Sequence, residues 1–184
     1  MFIFICGKAG SGKSTCANYL QKKYKFKLIK FADPIYNCKN FIVKEFGLPE
    51  NKYRDLMIYI GKFARKTAIE NNIKDPILNI LNEKLVDNSF GQNIVVDDLR
   101  LLQEAEYVRN LKHDCIIIKI AGREMEKFDG SNVNDITETS FDSFKHDYTL
   151  NNFSGLDDLY NQMDVILFSI SCNSKITKRI NNKK

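Results

Sequence analysis

Apolar positions along the chain fall into two kinds of run, and the two kinds alternate. Short, nearly continuous apolar runs occupy 2–6, 27–32, 94–98, 115–120 and 147–151. The clusters Ile94-Val95-Val96 and Ile116-Ile117-Ile118 have no polar face, which marks strands buried on both sides. Between these runs, longer mixed stretches predict helices over 13–23, 35–47, 51–72, 76–88, 101–112 and 156–169. Strands that alternate with helices imply a parallel sheet covered by helices, a three-layer α/β fold. The stretches 51–72 and 76–88 follow each other with no strand between, so the region of about 35–90 reads as a helical insertion. Residues 122–139 are polar, contain Gly122 and Gly130 and show no period. A loop of that length in a compact domain has the character of a short lid.

The first apolar run, Phe2-Ile3-Phe4-Ile5-Cys6, opens directly into Gly7-Lys8-Ala9-Gly10-Ser11-Gly12-Lys13-Ser14, and Thr15 continues into a helical stretch. This is a complete G-x-x-x-x-G-K-[ST] phosphate loop in a strand–loop–helix setting. Consecutive backbone N–H groups and the helix N-terminus converge there on an anion. In such a loop Lys13 reaches the β- and γ-phosphates and the Ser14 hydroxyl ligates Mg²⁺. The pattern therefore predicts a nucleoside triphosphate held by Gly7 through Thr15.

Length and charge sharpen this picture. The 184 residues suit one domain, expected over 1–170, followed by a basic tail over 171–184. The tail carries Lys175, Lys178, Arg179, Lys183 and Lys184 and no acid, and without these five the chain has 23 bases against 23 acids. The net charge of +5 is thus a property of the terminus, expected to be solvated, and nucleic acid is not an expected partner. Five cysteines without C-x-x-C spacing predict a reduced, cytoplasmic setting. His113 and His146 stand apart, which gives a His/Cys metal site no support. No apolar run reaches the length of a membrane span, and the first strand begins at Phe2, so neither a span nor a signal peptide is expected. The Lys-, Asn- and Ile-rich composition fits an AT-rich genome, a viral one included.

Phosphoryl transfer asks for a triphosphate cradle, a metal, cations facing the migrating charge and an acceptor held in line. Asp97 and Asp98 end a buried strand run and are the metal candidates. Alternation lets one of them point toward Ser14, and the expectation is Asp98; the plain alternative is that both cap the next helix. Phe31-Ala32-Asp33-Pro34 places Asp33 at another strand end, as a carboxylate for the acceptor or as an N-cap before Pro34. Arginine is scarce, six against twenty-two lysines, and its planar fork grips phosphate at two points. Arg100 follows the Asp98 strand end and leans over the crevice. Arg123 opens the lid loop, where closure would bring a cation to the transition state.

Arg54 and Arg65 lie eleven residues apart on one predicted helix, and eleven steps return to within about 20° of the start. They share a face with Ile58 and Gly61, about 16 Å apart, too far to hold one phosphate together. Gly61 in mid-helix costs about 1 kcal/mol relative to Ala and permits close approach of something bulky. Each of these arginines has the plain alternative of a solvated side chain, and Arg109 reads as helix surface.

With these residues in view, the chain resembles the deoxynucleoside monophosphate kinases of the bacteriophage type, within the P-loop nucleoside monophosphate kinase-like group. The likeness runs to about residue 165 through blocks in order: Gly7–Thr15; Phe31-Ala32-Asp33-Pro34; the helix with Leu56, Gly61 and Arg65; Asp98-Leu99-Arg100 with Gln103-Glu104; and an end segment. That segment comprises Thr137-Glu138-Thr139, His146-Asp147-Tyr148-Thr149-Leu150-Asn151-Asn152 and Leu156-Asp157-Asp158-Leu159. The resemblance implies transfer of the ATP γ-phosphate to a deoxynucleoside 5′-monophosphate, with Mg²⁺ required. It implies Lys13 and Ser14 for ATP and metal, and Asp33, Arg65, Arg100 and Glu138 on the acceptor side. The chain departs from the pattern at Lys62, at Arg100-Leu101-Leu102-Gln103-Glu104 and at Asp135, positions that bear on base preference and lid contacts. A side chain filling the 2′-hydroxyl space, Phe31 or Tyr36, would reject a ribose.

Two other readings share the phosphate loop. One is a P-loop kinase for another small phosphorylated metabolite. The other is a nucleotide-driven switch, for which Asn72-Ile73-Lys74-Asp75 has the guanine-reading residues in the wrong order. The expected partners are small-molecule nucleotides, with a homodimer left open.

Overall fold

The computed structural model describes residues 1–49, 53–87, 91–111, 114–122 and 140–181. Five parallel strands, β1 (Phe2–Cys6), β2 (Lys27–Ile29), β3 (Ile94–Val96), β4 (Cys115–Gly122) and β5 (Tyr148–Asn152), form one sheet in the order β2-β3-β1-β4-β5. Six helices accompany them: α1 (Lys13–Tyr24), α2 (Asp33–Glu45), α3 (Arg54–Glu70), α4 (Pro76–Asp87), α5 (Leu102–Arg109) and α6 (Leu156–Asn181). Every predicted strand and helix is present, and the three-layer P-loop kinase-like fold is the one the alternation implied.

The reason is visible in the core. Every residue of β1 is buried, as its unbroken apolar run requires. Its odd and even positions face opposite layers. Phe2, Phe4 and Cys6 pack with Leu81 and Leu85 of α4 and Val108 of α5. Ile3 and Ile5 pack with Cys16, Ala17 and Leu20 of α1 and Leu159 and Met163 of α6. Each fully buried Leu, Ile, Phe or Met among them contributes about 1.5–3 kcal/mol.

Several boundaries differ from the sequence reading: the last helix runs to Asn181, through most of the stretch read as a tail, and the difference at the second strand shapes the site. The second strand ends at Ile29 rather than at 32. Beyond it, the N–H groups of Phe31 and Ala32 turn away from the sheet and donate to the Asp98 carboxylate, each at 3.0 Å. The chain then enters α2 at Asp33, with Pro34 in the first turn, where its missing N–H costs nothing.

Because β1 is central and flanked by β3 and β4, its carboxyl end lies where the chain's crossovers diverge. A ligand crevice opens at such a point in α/β sheets. The helical insertion flanks this crevice: α2 packs on α3, and α3 on α4. On the opposite layer, Tyr19 of α1 stacks on Tyr160 of α6 with ring centroids 4.2 Å apart. The Asp164 carboxylate there accepts from Tyr19, Tyr24 and Lys23 and ties the last helix to the helix that carries the loop.

Candidate active site

The phosphate loop connects β1 to α1, and its shape depends on glycine at two places in particular. Gly7 has φ +141°, and a Cβ there would stand 2.6 Å from the Ile120 carbonyl oxygen. Gly12, the residue before α1, has φ +106°, and a Cβ would come within 2.7 Å of the Asn152 amide nitrogen. That amide donates to the Ser11 carbonyl at 2.9 Å, so the end of β5 holds the loop in place.

Of the loop's two lysines, Lys8 is exposed and Lys13 is turned inward. Lys13 is buried, and its ammonium donates to the carbonyls of Gly7 at 2.8 Å and Lys8 at 2.6 Å. The Ser11 hydroxyl is buried with no hydrogen-bond partner. Ser14 Oγ donates to Asp97 Oδ2 at 2.7 Å. Lys30 Nζ stands 3.0 Å from Asp97 Oδ1 and 3.2 Å from Oδ2.

These contacts reverse one expectation. Asp97, not Asp98, faces Ser14. The side chains of consecutive residues beyond β3 point to opposite sides. The side occupied by Asp98 belongs to the backbone of Phe31 and Ala32, where its two oxygens cap two N–H groups. Desolvation raises the Asp98 carboxyl to about 6, against the pull of those two hydrogen bonds. It is a brace for the β2–α2 turn. Phe31 is also removed from the candidates for sugar recognition: it is buried in the core against Phe4, whereas Tyr36 lines the cavity.

The donor set fits the ligands the loop implies. A hydroxyl and a carboxylate within hydrogen-bond distance supply hard oxygen ligands, and Mg²⁺ is held by few protein ligands, the rest being phosphate oxygens and water. Among the described residues no group of three His, Cys, Asp or Glu stands together as a metal cage. A buried hydroxyl without a partner and a buried ammonium resting on loop carbonyls both suit an anion in the loop.

From the loop a cavity of about 2000 Å³ extends over α2 and α3. Lys13, Lys30 and Arg100 line it near the loop. Lys39, Lys44, Arg54, Lys62, Arg65 and Lys66 line it along the two helices. Three carboxylates, Glu70, Asp97 and Asp98, oppose these nine cations. Ile35, Val43, Met57 and Ile58 add an apolar lining.

Arg54, Gly61 and Arg65 do share the cavity face of α3. The bulky group that approaches Gly61 is Ile35 of α2: a Cβ would lie 3.1 Å from its Cδ1 and 3.4 Å from an Arg65 terminal nitrogen. Arg65 is held on both sides. Its Nε donates to Asp75 Oδ2 at 3.2 Å and a terminal nitrogen donates to Glu104 Oε1 at 2.8 Å. Glu104 is buried, and its other oxygen accepts the backbone N–H groups of Arg100 and Leu101, each at 3.0 Å. Desolvation raises the Glu104 carboxyl to about 7, countered by the Arg100 N–H and the Arg65 charge. Asp33 turns toward α4, where Lys84 donates to it at 2.6 Å, and it does not line the cavity. Arg123 and Glu138, with the lid from 123 to 139, lie outside the described residues.

Sequence reading gave Lys30 and Asp75 no place in the site, met Glu104 only within a block of the resemblance, and read Arg109 as helix surface. Lys30 was one lysine among twenty-two, and nothing in the sequence places it beside Asp97. Arg109 is more than surface: it donates to Asp147 at 2.8 Å and to the Lys145 carbonyl at 2.9 Å, and Asp147 also accepts the Ile117 N–H.

Comparison with known proteins agrees with this geometry. Residues 3–125, about two thirds of the chain, match the family model described as an AAA domain (AAA_18). The chain belongs to this AAA domain family. No curated protein matches it. Among solved structures, this AAA domain protein is similar to a gluconokinase from Sinorhizobium meliloti 1021, with TM-score 0.55, 13% identity and 95% of each chain covered. It is similar to TT1252 from Thermus thermophilus at TM-score 0.52 and 17% identity, covering 92% of this chain and 97% of that one. A sugar kinase from Janibacter sp. aligns at TM-score 0.51 and 13% identity, over 88% of this chain and 91% of that one. At such identities the likeness is one of fold, and it places this AAA domain protein in the P-loop kinase-like architecture. No helix among the described residues is long and apolar enough to cross a membrane.

Proposed function

We propose that this protein transfers the γ-phosphate of ATP to a deoxynucleoside 5′-monophosphate, giving the diphosphate, with Mg²⁺ required. The observation that carries the proposal is the charge of the cavity: nine cationic side chains against three carboxylates, in one space that begins at the phosphate loop. An acceptor drawn there is anionic. The apolar side chains of α2 and α3 suit a ring system beside that anion, and the resemblance to deoxynucleoside monophosphate kinases supports the nucleotide.

In this reading Lys13 leaves the carbonyls of Gly7 and Lys8 for the β- and γ-phosphates, while the loop N–H groups hold their oxygens. Ser14 and Asp97 would hold Mg²⁺, which would supply neutralisation of the charge on the phosphates. Arg65 and Arg100 take the acceptor phosphate and orient it in line, and Arg54 extends the positive surface along α3. Arg123 serves as a lid cation and Glu138 as an acceptor-side carboxylate. Asp33, paired with Lys84 and outside the cavity lining, takes no part at the acceptor in this reading. Positioning and charge stabilisation are what such a transfer asks of the protein. The protein acts in the cytoplasm as a single domain with a basic tail.

A second reading is a kinase for another small phosphorylated metabolite. The names of two structural neighbours, a sugar kinase and a gluconokinase, favour it, since the cations answer to any small anion. ADP release from Mg-ATP, measured against a panel of ribo- and deoxynucleoside monophosphates, separates the two. Stimulation by a deoxynucleotide above its ribo counterpart supports the first reading. Binding of ATP without stimulation by any monophosphate overturns it.

A further inference from the structure

Glu104 makes more contacts than a helix cap requires. As the third residue of α5 it accepts the Leu101 N–H, an ordinary first-turn cap. The same oxygen, Oε2, also accepts the Arg100 N–H, while Oε1 accepts from Arg65 at 2.8 Å. Arg65 comes from α3, 39 residues away in sequence. Its Nε is taken by Asp75, at the start of α4, whose Oδ1 meanwhile caps the Ile77 N–H at 2.8 Å. Three separate segments thus converge on one arginine that lines the cavity, and one carboxylate joins its guanidinium to the backbone of a second cavity residue, Arg100. A long cation free to sample many rotamers would lose that freedom on meeting an anion; a cation already held loses much less.

We propose that Glu104 is a positioning residue that fixes Arg65 and the Arg100 segment relative to each other as one anion-gripping unit, with Asp75 as the second anchor. The inference rests on the reading of the cavity as the acceptor site. Glu104 touches no substrate in this scheme and acts through the two arginines.

Glu104→Gln tests it with little change in volume. The amide oxygen still accepts the N–H groups of Arg100 and Leu101, so the start of α5 is kept, while the amide NH₂ faces the Arg65 guanidinium, donor against donor. Asp75→Asn loosens the other side and keeps the cap on Ile77. Two readouts are taken on the full chain. The first is the set of Arg65 guanidinium Nη–H₂ resonances in nitrogen-labelled protein, the group that bonds Glu104, assigned with Arg65→Lys. The second is the affinity for inorganic phosphate, with the loop filled by a non-hydrolysable ATP analogue and Mg²⁺.

The expected result is a sharp, slowly exchanging Nη–H signal in the wild type that broadens in Glu104→Gln. Phosphate binding weakens roughly tenfold or more, and the acceptor KM rises more than the ATP KM. Addition of the Asp75→Asn change to Glu104→Gln brings less than its separate effect. An unchanged Nη–H signal in Glu104→Gln overturns the positioning role, as does wild-type phosphate affinity in that variant. If the wild type itself binds no phosphate beside the analogue, the acceptor reading fails, and the Nη–H signal still decides whether Glu104 anchors Arg65. Should Glu104→Gln not fold, Asp75→Asn is read by the same two measurements.

Discussion

Asp97 and Asp98 are neighbours with opposite assignments, and exchanging each for Asn separates them. In Asp98→Asn the two oxygens that cap the Phe31 and Ala32 N–H groups, each at 3.0 Å, become one oxygen and one NH₂. One backbone N–H then faces a donor, and a buried donor without a partner costs about 1–3 kcal/mol. The neutral side chain recovers part of this, because desolvation already disfavours the Asp98 charge and raises it to about 6. A net loss of about 1–2 kcal/mol remains, which for a domain of this size lowers Tm by roughly 2–8 °C. In Asp97→Asn the amide oxygen still accepts from Ser14 Oγ, and Lys30, a partly exposed lysine, turns to solvent. Stability therefore stays within about 1 kcal/mol of wild type. Loss of the carboxylate beside the metal position lowers the affinity for Mg²⁺ in the presence of ATP by about 10- to 100-fold. Thermal unfolding and a Mg²⁺ titration of ATP-dependent turnover read the two effects. An Asp98→Asn protein that melts like wild type, or an Asp97→Asn protein with an unaltered Mg²⁺ requirement, refutes the assignment.

Three further outcomes are expected. Lys13→Ala lowers turnover by orders of magnitude and leaves the fold intact, the ammonium's bonds to the Gly7 and Lys8 carbonyls lying within the loop; wild-type-like turnover removes the loop from the chemistry. Gly12→Ala forces a Cβ onto a φ of +106° and against the Asn152 amide, at about 1–3 kcal/mol of strain, and abolishes ATP binding; a fully stable, ATP-binding variant contradicts the loop geometry. Glu104 gives the stability a pH dependence: its folded-state carboxyl titrates near 7, above the ordinary 4.5, so its stabilisation is complete below about 4.5 and is lost as pH rises through 7. A shift of that size corresponds to about 3 kcal/mol, so urea unfolding shows the wild type losing that much relative to Glu104→Gln between pH 4.5 and 7.5; parallel pH profiles contradict it.

The sheet and its helices were legible because their signal is local: an unbroken apolar run such as Phe2–Cys6 has one stable place, between two layers. The phosphate loop was legible for the same reason, with its glycines and Lys13 consecutive in the chain. The orientation of Asp97 and Asp98 was not, because it depends on where the backbone of Phe31 and Ala32 goes once β2 ends. The contacts of Lys30 with Asp97 and of Glu104 with Arg65 were hidden because they span 67 and 39 residues, and no periodicity carries that information. Gly61 was read as leaving room, and α2 fills that room with Ile35.

The central claim is that the loop and the cationic cavity act on two substrates at once. Its most direct test gives the wild-type protein ATP radiolabelled at the γ-phosphate, Mg²⁺ and each deoxynucleoside 5′-monophosphate in turn, and separates the products. The account predicts label in a deoxynucleoside diphosphate and none in free phosphate beyond background. Label that stays in ATP, or leaves it only as inorganic phosphate, with every monophosphate present contradicts it.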